Sequence, residues 1–305
     1  MIQPAVLLEG VRKHFGTVEA LRGVDFDVAR GEVFGFLGPN GAGKTTTIRV
    51  LLGFIKANSG RAEVFGMDAL KQTVEIKRHV GFLPDTISFG SGLTGQDFLR
   101  HIARLHGIKG APPLQRELLE RLELPDSALR RGVKGYSTGM GKKLALVQAM
   151  QHDPELLILD EPTESLDPLI RQELFALFRE LQKRGVTILM SSHVLADVEE
   201  ICERVALIRN GRIVSFGPVD DLRRGQVRTM VVTLRDAAAP FEVRGAQVVS
   251  RDGATVRLSV DGDINDVVRG LATHDLQDVL YERMSLEELF LGFYKDENGD
   301  GATDA

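Results

Sequence analysis

The sequence predicts an α/β protein: mainly parallel central strands with helices between them, an antiparallel β entry, a helical insertion and a small α+β domain at the end. Three observations carry this. Short apolar runs at Val33–Leu37, 156–159 and 186–190 alternate with helical patterns, as in strands buried on both faces. The first run leads into Gly38-Pro39-Asn40-Gly41-Ala42-Gly43-Lys44-Thr45, which fits G-x-x-x-x-G-K-[ST] at a strand-to-helix turn. Beyond Gly217-Pro218 the pattern gives way to short alternating runs.

Taken in order, Val24, Phe26 and Val28 alternate with Asp25 and Asp27, which reads as an antiparallel strand, and Arg30-Gly31 turns the chain into the buried strand at 33–37. The glycines of the following octet let successive N–H groups converge on phosphate oxygens. A helix opening at Lys44 adds the positive end of its dipole, with Ile48, Leu51 and Leu52 at core spacing. Lys44 places a compact cation on a long stem, and the Thr45 hydroxyl suits Mg²⁺. The octet implies a nucleoside triphosphate.

From Thr94 to about His152 the pattern is mostly helical. Thr94 and Asp97 predict a capping box, followed by a face made of Phe98, Ile102 and Leu105 and later by Leu118, Leu119 and Leu122. Asn210-Gly211 predicts a hairpin joining 205–209 to 212–215. Runs at 229–234 and Thr255–Val260 and a last helix at 285–293 complete the C-terminal part, and the polar, acidic residues 295–305 predict a disordered tail. The expected domains are 1–217, with its insertion at about 86–152, and an accessory domain at 218–305.

The chain has 305 residues, 43% hydrophobic and 27% charged, enough for a sizeable core without disulfides. Its 38 basic and 43 acidic residues are interspersed and leave a formal charge of −5, so nothing suggests a nucleic-acid partner, and none is expected. Cys202, the single cysteine, rules out an intrachain disulfide and a cysteine-rich metal site and reads as buried filler. No run of eighteen apolar residues and no cleavable leader is visible, so neither a membrane span nor export is expected.

Two carboxylates, Asp160 and Glu161, emerge at the end of the 156–159 run, where open α/β sheets place ligands. Neighbours on a strand point oppositely, so their tasks should differ: Asp160 suits Mg²⁺ through its water shell, and Glu161 suits a base that polarises the attacking water. His193 follows the 186–190 run and two serines, where an imidazole can meet a phosphate oxygen or the water, or simply pack. The other six histidines read as surface or packing residues. A formal G-x-G-x-x-G at 90–95 lacks a preceding strand and reads as the loop into the insertion, and 296–301 resembles half a calcium loop whose twelfth ligand lies beyond the chain.

Tyr136-Ser137-Thr138-Gly139-Met140, standing before Asp160, resembles the signature sequence of the ABC transporter ATPases. With the octet, the paired carboxylates and His193, the resemblance covers residues 5 to 217. It implies a P-loop NTPase core of ABC ATPase type, with an antiparallel β subdomain and a helical insertion, that binds and hydrolyses ATP with Mg²⁺. By resemblance, Phe15 is the adenine-stacking aromatic, residues Gly38 to Thr46 (Thr46 included) hold the nucleotide, and His193 is the switch histidine. The signature Ser137, Thr138 and Gly139, with Asp167 of the loop Ser165-Leu166-Asp167, would contact the nucleotide held by a second copy in a head-to-tail homodimer. Thr138 stands where the commonest form has glycine, a change frequent in a drug-exporter branch that resembles the daunorubicin-resistance ATPases. Asp85 stands where most members have Gln and that branch often has Glu; one methylene shorter than Glu and no amide donor, it is kept as a metal-site residue. The segment 285–291 resembles the close of the same branch.

The resemblance therefore implies an export ATPase, cytoplasmic and peripheral on the inner face of the cell membrane through separate permease subunits. The alternative is a soluble ABC ATPase acting on ribosomes or DNA. A GTPase or small-molecule kinase would leave the signature unexplained, and no guanine-reading Asn-Lys-x-Asp is present.

Overall fold

The computed structural model describes residues 3–90, 92–110, 112–224 and 228–282. The chain divides into two compact units, Met1–Pro218 and Val219–Ala305. The helix expected at 285–293, the acidic tail and the half calcium loop lie outside the described residues.

The first unit opens with β1 (Val6–Phe15) and β2 (Val18–Val28), an antiparallel pair. After them come β3 (Val33–Leu37), α1 (Lys44–Leu51), β4 (Ser59–Val64) and β5 (Met67–Asp68). Strands β4 and β5 extend the pair into a sheet of order β2-β1-β4-β5. The expected alternation is present: Val24, Phe26 and Val28 are buried. Phe26 stacks on Phe34 of β3 with ring centroids 5.4 Å apart and lies 5.1 Å from Phe36. Each such buried ring contributes roughly 1.5–3 kcal/mol of transfer free energy, and together they fix the antiparallel sheet against the strand that carries the phosphate loop.

Helix α2 (Thr73–His79) leads into β6 (Val80–Leu83), and the helical insertion follows as α3 (Gly95–Leu105), α4 (Gln115–Arg121), α5 (Asp126–Leu129) and α6 (Thr138–Met150). Thr94 caps α3, its Oγ1 accepting from Asp97 N at 3.1 Å. The return bond differs from the expected box: Asp97 Oδ2 accepts from the Thr94 hydroxyl at 2.7 Å. The buried face of α3 also differs. Gly95, Leu99 and Ala103 are buried, whereas Leu105 is 70% exposed. Leu99 takes the innermost stripe between the small residues Gly95 and Ala103, and Phe98 sits at its shoulder, edge-on to Phe89 at 5.0 Å.

The chain then alternates β7 (Leu156–Asp160), α7 (Pro168–Lys183), β8 (Thr187–Ser192), α8 (Leu195–Ile201), β9 (Arg204–Arg209) and β10 (Arg212–Pro218). The central sheet has the order β10-β9-β3-β8-β7-β6, parallel throughout except for the β9-β10 hairpin. Asn210 (φ 48°) and Gly211 (φ 76°) make the tight turn their sequence predicts. Strand β8 runs two residues beyond the apolar stretch, through Ser191 and Ser192. Consequently β3, β8, β7 and β6 end side by side, with Leu37 beside Ser192, Asp160 beside Ser191 and Leu83 beside Leu159.

His152, just past α6, is stacked on His106 with centroids 3.8 Å apart, and burial pushes its pKa down from 6.5 to about 4. The unfolded chain binds a proton below pH 6.5 that the folded ring refuses until about pH 4. Stability is therefore complete above pH 6.5 and falls as pH drops through that window, by about 3 kcal/mol for a shift of this size. Melting temperatures followed from pH 7 to 4 should fall less steeply in His152→Phe than in the parent.

In the second unit α9 (Val219–Arg224) precedes β11 (Arg228–Leu234), β12 (Ala246–Asp252), β13 (Thr255–Val260), α10 (Ile264–Leu271) and β14 (Leu276–Glu282). The sheet is antiparallel, in the order β12-β13-β11-β14, and α10 packs Val267 and Leu271 into a core with Met230, Val232 and Leu258. Two of its strands, β12 and β14, carry too little regular alternation to be read from the sequence.

Candidate functional site

The ends of β3, β8, β7 and β6 deliver four segments to one edge of the sheet, and a cavity of about 280 Å³ opens there. Its walls include Pro39, Asn40, Gly41, Gly43, Lys44, Thr45 and Thr46 from the loop after β3, Asp160 and Glu161 after β7, His193 after β8 and Asp85 after β6. Sequence reasoning had named each of these. Three wall or neighbouring groups it had not named. Ala20 comes from β2, Glu164 lies three residues past Glu161, and Lys142 of α6 is buried with Asp85, Glu164, Asp160 and Glu161 acting on its charge.

The loop is built on glycine where a Cβ has no room. One on Gly38 would meet Ile208 O at 2.4 Å. Gly43, at φ 116°, would press Leu21 at 2.8 Å while it serves as the N-cap of α1 with no side-chain bond to the first turn. The first N–H groups of α1 therefore remain for an anion. Lys44 is buried; its Nζ donates to Gly38 O at 2.6 Å and lies 3.2 Å from Glu161 Oε1.

Thr45 Oγ1 donates to Asp160 Oδ2 at 2.8 Å, and Ser191 Oγ donates to Oδ1. Burial raises the Asp160 pKa, and these two hydroxyls act in the opposite direction. The strand ends at Asp160, and Glu161 takes φ 51°, a left-handed conformation. The reversal explains how adjacent carboxylates serve different places. Glu161 N bonds to Ser191 of β8, and its Oε2 accepts from His193 N at 3.3 Å and lies 2.9 Å from His193 Nδ1.

The remaining sequence-predicted residues do not line this cavity. Phe15 ends β1, half exposed, with Lys13 Nζ 4.9 Å above its ring. Ser137, exposed, caps α6 by accepting from Met140 N at 3.2 Å, and Thr138 and Gly139 begin that helix. Asp167 caps α7 by accepting from Ile170 N at 3.1 Å. Ala42 is buried behind the loop. Cys202 is buried at the end of α8, where burial pushes its thiol pKa up, as expected of filler.

A glycine loop at a helix N-terminus, with a lysine and a threonine–aspartate pair beside it, defines a P-loop nucleoside triphosphatase. Residues 21–164 match the family model described as ABC transporter. The chain is 36% identical to the daunorubicin resistance ATP-binding protein DrrA3 of Streptomyces coeruleorubidus, over 95% of this chain and 96% of that protein. It is 37% identical to the bacitracin transport ATP-binding protein BcrA of Bacillus licheniformis over 73% of each. A solved ATP-binding subunit of an ABC transporter superposes with a TM-score of 0.67 at 30% identity, covering 72% of this chain and 92% of that one. The chain belongs to the ABC transporter family, as an ATP-binding subunit that hydrolyses ATP to ADP and phosphate. Among the described residues no helix is long and apolar enough to cross a membrane.

Proposed function

We propose that this chain is the ATPase of an exporter of drugs or antibiotics. It is held by separate permease subunits on the inner face of the cell membrane and acts as a head-to-tail homodimer that closes on Mg·ATP and reopens after hydrolysis. The similarity to a daunorubicin resistance protein along nearly the whole chain, second unit included, carries the export reading.

The donors present suit Mg²⁺: a hydroxyl and a carboxylate in contact at Thr45 and Asp160, with Asp85 on the same wall, all hard oxygen ligands. Bound there, the metal supplies charge neutralisation to the β- and γ-phosphates. The loop N–H groups and Lys44 grip the phosphates, which compete with Glu161 for the Lys44 ammonium. Glu161 is then held by His193 alone and accepts the proton of the attacking water, while His193 fixes its direction. Phe15 stacks against the adenine. Ser137 and the first N–H groups of α6 are not among the residues lining the chain's own cavity and suit the γ-phosphate held by a second copy, and Asp167 approaches the same partner.

Purification of the tagged chain from detergent-solubilised host membranes tests the export reading. A stable complex with a polytopic subunit of about six apolar spans is expected. Recovery of the whole chain free of membrane protein would contradict it.

A further inference from the structure

Asp197 on α8 is fully buried, four residues past His193. An ionised carboxylate at that depth requires partners, and both of its partners come from other segments. Thr163 Oγ1 donates to Oδ2. Thr163 stands two residues past Glu161, in the turn between β7 and α7. Arg171 Nη2 pairs with Oδ1. Arg171 lies on α7, four residues past Asp167, whose carboxylate caps that helix. Three segments that bear site residues thus meet at the same buried carboxylate: the Glu161 turn through Thr163, the α7 start through Arg171, and the His193 segment through Asp197 itself.

We infer that Asp197 is a positioning residue for hydrolysis: it fastens the Glu161 turn, the His193 segment and the start of α7 to one another, and so sets the Glu161–His193 contact by the placement of α7. The inference rests on the reading of Glu161 and His193 as the hydrolytic pair. A buried ion pair adds little net stability over an apolar pair of the same shape, whereas misplacing a reacting group by about 1 Å costs up to about 10²-fold in rate. The expected signature is therefore in kcat, with binding spared.

The test uses the full chain and measures kcat, KM for ATP and the affinity for a fluorescent ATP analogue. Asp197→Asn is expected to lower kcat about tenfold or more and to leave affinity within about twofold. Asp197→Glu, which keeps the charge, should recover part of that loss. Thr163→Val combined with Asp197→Asn should lose little more than the worse single variant, as two ends of one contact do. Because Asp197→Asn leaves Arg171 unpaired and can fail to fold, Arg171→Met/Asp197→Leu removes both charges together and should fold with the same kcat deficit. Folded Asp197 variants that turn over at the parent rate, or losses that simply add, would overturn the inference. If Glu161→Gln is inactive while these variants run at full speed, the positioning role alone fails; if Glu161→Gln itself turns over normally, the underlying hydrolytic reading fails.

Discussion

Glu161→Gln binds ATP at least as tightly as the parent and loses turnover by about 10²-fold or more. The amide keeps the side chain's shape and its acceptor oxygen toward His193, now 2.9 Å away, but removes the basic oxygen that would take a proton. The same change removes the negative partner of Lys44, 3.2 Å from Oε1, so the lysine meets the phosphates with one competitor fewer. Binding should be equal or tighter while hydrolysis falls, and nucleotide should accumulate on the protein unhydrolysed. Single-turnover hydrolysis beside equilibrium binding checks this. Near-normal hydrolysis would move the base elsewhere, with Glu164 and Asp85 as the other carboxylates on the cavity wall.

Lys44→Ala acts on the opposite term. A hydrogen bond to a charged group in a partly dry site contributes about 1.5–3 kcal/mol, so ATP affinity should fall about 10- to 100-fold. ADP should lose less, because its polyphosphate is shorter by the group Lys44 is expected to reach. The substitution also leaves the buried Glu161 Oε1 without its ion-pair partner, so the variant should melt lower in the absence of nucleotide. Calorimetric titration with ATP and ADP separates the effects. Unchanged affinity for both would remove Lys44 from the phosphate cradle.

The parts of this site legible in the sequence share a physical origin. The phosphate loop, Asp160-Glu161 and His193 each sit where a run of apolar residues stops, and a strand buried on both faces is the easiest element to see in a sequence. The cap at Thr94 was legible because a hydroxyl before a helix has a local partner, Asp97 N. What could not be read depends on tertiary approach. Ala20 reaches the cavity because Phe26 and Phe34 clamp two sheets together, and nothing near Ala20 encodes that. The stripe on α3 was misplaced because large apolar residues outweigh small ones in a periodicity count, whereas Gly95, Leu99 and Ala103 fit the innermost face. The left-handed Glu161 and the buried Asp197 belong to the same class, since Glu161 is fixed by Ser191 of β8 and Asp197 by Arg171 of α7.

The central claim is that the chain holds ATP between its own phosphate loop and the signature helix of a second copy. Crystals grown with magnesium and adenylyl imidodiphosphate test it directly. The prediction is one analogue per chain, its phosphates against the N–H groups of residues 41–45 and Lys44, its metal beside Thr45 and Asp160, and its γ-phosphate closed off by Ser137 of the second copy. A nucleotide bound elsewhere, or one enclosed entirely by a single chain, would contradict it.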